Sequence, residues 1–159
     1  MEQCRPERYL GPCQVIRISP APHAINTSFN NRRQAVLGRN RRILPEDLQV
    51  PLRAERVLFA TGTYPDPTVF NEDFAALSPE LIHRLHAEGV GLVGIDTPSI
   101  DLFQSKDLPA HGACLEHDIR ILEGLTLAGI PEGIHELIAL PLRLAGFDAS
   151  PVRAVPRTY

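Results

Sequence analysis

The residues able to do chemistry crowd into one window. Asp96, Ser99, Asp101, Ser105, Lys106, His111, Glu116, His117, Asp118 and Glu123 follow the short apolar run at 92–95, and the ends of strands are where α/β sheets place ligands. Imidazole and carboxylate are donors that zinc or manganese accepts, so the window has the composition of a divalent-metal site. His111 and Glu123 are twelve positions apart. On an unbroken helix they would point about 120° apart at ~3.6 residues per turn, so they can share an ion only if the helix ends between them. His83 and His86 flank a helix and read as surface residues, and His117 reads as an exposed helical histidine. Ser105 and Lys106 are adjacent, a spacing that rarely lets a serine and its base work together. The chain has no GxSxG elbow, P-loop, GxGxxG or HExxH, which sets aside serine-hydrolase, nucleotide-binding and zincin chemistry.

The elements that must position this window are legible in outline. Residues 13–18 alternate like a half-buried strand after the Gly11-Pro12 turn. Residues 19–42 hold prolines and paired Asn and Arg without a period, and read as a long loop or insertion. Residues 45–48 suit one helical turn, and 56–61 form an apolar run of strand length, followed by a loop through Gly62, Pro65 and Pro67. Ser78 caps a helix that has Pro79 first, buries Leu81, Ile82 and Leu85, and stops at Gly89. With the strand at 92–95, this predicts a crossover unit and a parallel strand pair. Further on, 111–118 has helical composition, 119–127 fits either state, 136–144 reads as a strand and 152–155 as a terminal strand. The expected class is α/β, with mixed α+β as the alternative, in one domain over 1–159 carrying a loop insertion at 19–42.

Bulk properties narrow the partners. Of 159 residues, 43% are hydrophobic and 22% charged, ordinary for a chain with a packed core. A net charge of -3 gives no basic field for nucleic acid. Arg32, Arg33, Arg39, Arg41 and Arg42 form one local basic run, read as a solvated loop. No apolar run approaches the ~20 residues of a spanning helix and the start is not a leader, so no membrane partner and a cytoplasmic location are expected. Cys4, Cys13 and Cys114 make no CxxC pair and read as small buried or idle thiols.

The words of the sequence carry a resemblance. Gly94-Ile95-Asp96-Thr97-Pro98-Ser99, Ser105-Lys106, Ala110-His111 and Ile121-Leu122-Glu123-Gly124 resemble the bacterial kynurenine formamidases (arylformamidases) of the cyclase family. Glu136 to Leu142 and Asp148 to Val155 are similar to that family's closing segment, and Gly11-Pro12-Cys13-Gln14-Val15-Ile16 to the strand after its first metal motif. The resemblance implies a cyclase-like fold, a mixed sheet with flanking helices. It also implies metal-dependent hydrolysis of N-formylkynurenine to kynurenine and formate in tryptophan catabolism, with two zinc ions per site, or manganese or another divalent metal, in a homodimer. By position His111 and Glu123 match the family's late metal ligands, while Asp96, Thr97 and Ser99 line the pocket or tie its loop. The family's early motif, HxGTHxDxPxH, which carries the remaining ligands and the catalytic His, is absent. The expectation is therefore a chain lacking the family's N-terminal portion, with no catalytic residue identified. Two alternatives stand beside it: a noncatalytic remnant acting as an interaction module, and another amide or ester hydrolase of the cyclase family.

Overall fold

The computed structural model describes residues 4–18 and 42–158. The expected insertion at 19–42 lies outside the described residues except for Arg42. Among the described residues are strands β1 (Leu10–Arg17), β2 (Arg42–Ile43), β3 (Arg56–Ala60), β4 (Ala76–Leu77), β5 (Leu92–Ile95), β6 (Arg120–Leu122), β7 (Gly133–Ile138) and β8 (Val155–Arg157), with helices α1 (Pro79–Ala87) and α2 (Pro109–Glu116). Six strands form a mixed sheet in the order β6-β5-β3-β1-β7-β8, and β2 pairs with β4 separately. The β1–β3, β3–β5 and β5–β6 pairs are parallel, and β7 runs antiparallel to both β1 and β8. The fold is mixed α/β, and the parallel pair across the helix that starts at Pro79 is as the sequence predicted.

Residue alternation along the strands separates two packed layers. Val57 and Phe59 of β3 and Val93 and Ile95 of β5 join Leu81, Ile82 and Leu85 of α1 and Ala110, Ala113 and Cys114 of α2 on one face. Cys13 and Val15 of β1, Leu58, Leu92, Leu122 and Leu137 form the other, covered by Leu125, Ile130, Val152 and Ala154. Burying each large aliphatic side chain contributes roughly 1.5–3 kcal/mol, so α1 is held chiefly by its three inward residues. Its start is fixed by the Ser78 Oγ, which accepts the Leu81 N–H at 3.1 Å, and its end by Gly89 at φ +86°.

Four boundaries differ from expectation for physical reasons. β1 begins at Leu10 and is covered on both faces over 13–16, because it lies between β3 and β7 rather than half-exposed at an edge. The run at 136–144 stops being a strand after Ile138: Pro141 offers no N–H, and Leu140 and Leu142 are exposed. It starts earlier instead, at Gly133 opposite Val15. The terminal strand is shifted to Val155–Arg157, pairing Ile138 with Val155 and Glu136 with Arg157, while Val152 and Ala154 turn inward to the second layer. Finally, α2 spans Pro109–Glu116 rather than 111–118.

Candidate metal centre

The site is built around a carboxylate. Asp101 is fully buried and lies in the loop between β5 and α2. One of its oxygens, Oδ1, accepts from Arg42 Nη1 and from the Ala110 N–H, both at 3.1 Å. The other, Oδ2, accepts the His111 N–H at 3.1 Å and lies 2.9 Å from His111 Nδ1. The N-cap residue of α2, Leu108, has φ 45° and no side-chain cap. Asp101 does that work from outside the helix, satisfying two N–H groups of its first turn and placing negative charge at its positive end. Burial works to raise the Asp101 carboxyl, but the hydrogen bonds from His111, Ala110 and Arg42 outweigh it and hold the group below the usual carboxylate range. It is therefore ionised, and His111 Nδ1 must be the donor toward it. That fixes the imidazole tautomer.

With Nδ1 donating, a neutral His111 ring has its lone pair on Nε2, which faces Glu123 Oε1 at 3.3 Å. The helix ends between the two residues, as their sharing an ion required: Asp118 adopts φ 53° beyond the C-cap His117, and the chain turns into β6, which delivers Glu123 at its end. Glu123 is set by its Oε1 accepting the Ile100 N–H at 2.8 Å and by Gly124, at φ +65°, donating to the Thr97 carbonyl at 2.8 Å. Two acceptor atoms facing each other at this distance need a cation between them, either a proton on the ring or a metal ion. The donor set and the carboxylate behind the imidazole fit a divalent metal. A catalytic zinc uses roughly three protein ligands, so these two residues alone would not complete such a site.

A cleft of about 680 Å³ opens on His111 and Glu123, with Tyr9, Cys114, Leu115 and Arg120 along its walls. The Cys114 thiol is pushed up to about 12 by burial and by the charges of Asp101 and Glu123, which makes it a poor nucleophile at neutral pH. Asp96, Thr97 and Ser99 lie around the loop leaving β5. Asp96 accepts from Thr61 Oγ1 at 2.6 Å and the Gly62 N–H at 2.8 Å, and lines a second cavity of about 220 Å³. The buried Thr97 hydroxyl lies 3.0 Å from the Ala75 carbonyl and 2.9 Å from that of Ser99, whose own Oγ accepts the Asp101 N–H. All three residues therefore tie the loop that holds Asp101.

The sequence singles out neither Asp101 nor Arg42 for a role of its own. Asp101 stood in the polar window, and its carboxylate ten residues before a histidine was the available signal. Arg42 carried none, since its partner is 59 positions away. It also departs from the solvated loop expected of the basic run, being 15% exposed and paired to a buried charge; Arg32, Arg33, Arg39 and Arg41 lie outside the described residues. His83 and His86 are exposed as expected and His117 is half-buried, but the three meet: His83 Nδ1 is 2.7 Å from His117 Nε2, and His86 stacks on His117.

No family model matches the chain. Curated relatives do. The chain is 46% identical over 154 residues to a protein of Bordetella pertussis named kynurenine formamidase, covering 95% of this chain and 65% of that one. It is 40% identical over 153 residues to one of Maricaulis maris with the same name and the same coverage. The chain thus spans 65% of the length of these relatives. Among solved structures, a potential metal-dependent hydrolase with cyclase activity superposes with TM-score 0.76 at 24% identity, over 98% of this chain and 69% of that one. A predicted metal-dependent hydrolase from Bacillus stearothermophilus gives 0.74 at 25%, over 96% and 65%. An isatin hydrolase bound to thioisatinate gives 0.65 at 21%, over 98% and 64%.

Proposed function

We propose that this chain, 40–46% identical to bacterial proteins named kynurenine formamidase, takes part in hydrolysing the formamide of N-formylkynurenine to kynurenine and formate at a divalent-metal site. The observation that carries this reading is His111 Nε2 facing Glu123 Oε1 at 3.3 Å with Asp101 behind the ring. His111 and Glu123 would hold the ion, and groups beyond these two would complete its ligands. A divalent ion held there supplies Lewis acidity, bringing the pKa of water near ~7 and drawing charge from the formyl carbonyl. Asp101 keeps the Nδ1 proton in place so that Nε2 presents its lone pair, and it raises the basicity of the ring as a donor. Arg42 neutralises Asp101 from the far side. The cleft beside Leu115 and Tyr9 offers apolar wall for an aryl substrate. Asp96, Thr97 and Ser99 hold the loop, and through it Asp101, in position. Zinc as the metal, at two ions per site, and a homodimer belong to the same reading.

The test is metal content by mass spectrometry and hydrolysis of N-formylkynurenine for a full-length protein in which the HxGTHxDxPxH motif precedes this chain, unaltered or carrying His111→Ala or Glu123→Ala. Loss of hydrolysis and of the zinc held at this centre is expected in both variants, seen as a drop in total zinc content. Unchanged zinc in both would overturn the assignment.

A further inference from the structure

The meeting of three imidazoles and a carboxylate at the outer edge of the two helices is not used by the centre above. His83 Nδ1 lies 2.7 Å from His117 Nε2, and one ligand atom from each of His83, Glu116 and His117 falls within 4.8 Å of the others. The rings come from different helices: His83 belongs to α1, while Glu116 ends α2 and His117 caps it. His86, one turn from His83, stacks on His117 with centroids 4.1 Å apart and planes 12° apart, which limits the ring's rotation. From these residues we propose a second, surface site for a transition-metal ion of the zinc, nickel and copper(II) class, held by His83, His117 and Glu116 and clamping α1 to α2.

The chemistry of the donors sets the class. Two imidazoles with one carboxylate suit borderline ions, whereas magnesium and calcium prefer all-oxygen sets. Nitrogens around a tetrahedral zinc at about 2.0–2.1 Å lie about 3.3 Å apart, so the pair at 2.7 Å has to open by about 0.6 Å. His83 and Glu116 are exposed, which leaves room for water in the remaining position and makes the ion exchangeable. The site is distinct from His111. Six residues along an α-helix amount to about 9 Å of rise and about 120° of rotation, so His111 and His117 lie near opposite ends of α2 and on different sides of it.

Copper(II) is the probe. After chelator treatment, the full chain is titrated with Cu²⁺ and followed by calorimetry and electron paramagnetic resonance, alongside His83→Gln, His117→Gln, Glu116→Gln and His111→Ala. The expected result is one copper equivalent, beyond any taken up at His111 and Glu123, with nitrogen hyperfine structure that disappears in His83→Gln and His117→Gln, weakens in Glu116→Gln and persists in His111→Ala. Zn²⁺ is expected to raise the Tm of the unaltered chain more than that of His83→Gln. Copper stoichiometry unchanged in both histidine variants, or lost only in His111→Ala, would overturn the proposal. His83 and Glu116 lie at the surface, so the metal-free Tm of the His83→Gln and Glu116→Gln variants serves as the folding control.

Discussion

At the scale of single residues, the candidate centre depends on one buried charge. Asp101 takes four hydrogen bonds from three residues and has no exposure. In Asp101→Asn the amide nitrogen meets N–H donors, and Arg42 loses the buried carboxylate it is paired with. Breaking a buried ion pair in this way costs about 3–5 kcal/mol, and losing the carboxylate behind a metal-ligating imidazole weakens metal affinity roughly 10–100-fold. Urea unfolding and zinc titration would both register the change; a loss of stability below about 1 kcal/mol would contradict the structural role. The pH dependence has a definite sign. The folded Asp101 carboxyl is depressed, so its stabilisation is complete above the ordinary aspartate value of ~3.9 and fades as pH falls through the lower folded value. Asp101→Asn should flatten that part of the acid limb. His111 and Glu123 could be picked out from their neighbours in sequence, whereas Asp101 could not. Its importance comes from burial and from Arg42, which its spacing from His111 in the sequence does not by itself disclose.

The two helices show, at the scale of elements, which boundaries a sequence discloses. α1 announces both ends with Ser78, Pro79 and Gly89, and the structure has it there. α2 stops without a glycine: His117 is its C-cap and Asp118 takes the left-handed conformation, for which Asp is an uncommon choice. Asp118 is steadied by Arg8 at 3.2 Å and Arg120 at 2.7 Å, contacts that come from folding and not from the helix's own residues. This turn matters because it carries the chain back so that Glu123 meets His111. The strand ends at β7 and β8 were displaced for a similar reason, since pairing register and the inward turn of Val152 outweigh local composition. For α1, Ser78→Ala removes the acceptor of the Leu81 N–H in a buried setting. A loss of about 1 kcal/mol in urea-unfolding free energy is expected. No measurable change would mean that the cap contributes nothing to α1.

For the whole molecule, stability rests on one sheet with a core on each face, and each core contains a cysteine. Cys114 packs among the α1 and α2 residues, and Cys13 with Val15 and Leu137 on the other face. Phe59, fully buried at the centre of the helix-covered layer, should cost about 3–5 kcal/mol as Phe59→Ala, read from the denaturant midpoint. The thiols make a more particular prediction. Burial pushes Cys13 up to about 11, against the pull of Arg56 and a backbone hydrogen bond, and pushes Cys114 up to about 12, with Asp101 and Glu123 adding to it. Between the ordinary value of 9.0 and these folded values the unfolded chain releases protons that the folded chain keeps, so stability falls as pH rises. The stabilisation is whole below pH 9, fades to about pH 11 for Cys13 and continues fading to about pH 12 for Cys114. Because the thiols lie in separate layers, their contributions should add. Cys13→Ala and Cys114→Ala should each remove part of the alkaline decline in urea-unfolding free energy, and the double variant should remove the sum. An alkaline limb of unchanged steepness in the double variant would show that groups other than these two thiols set it.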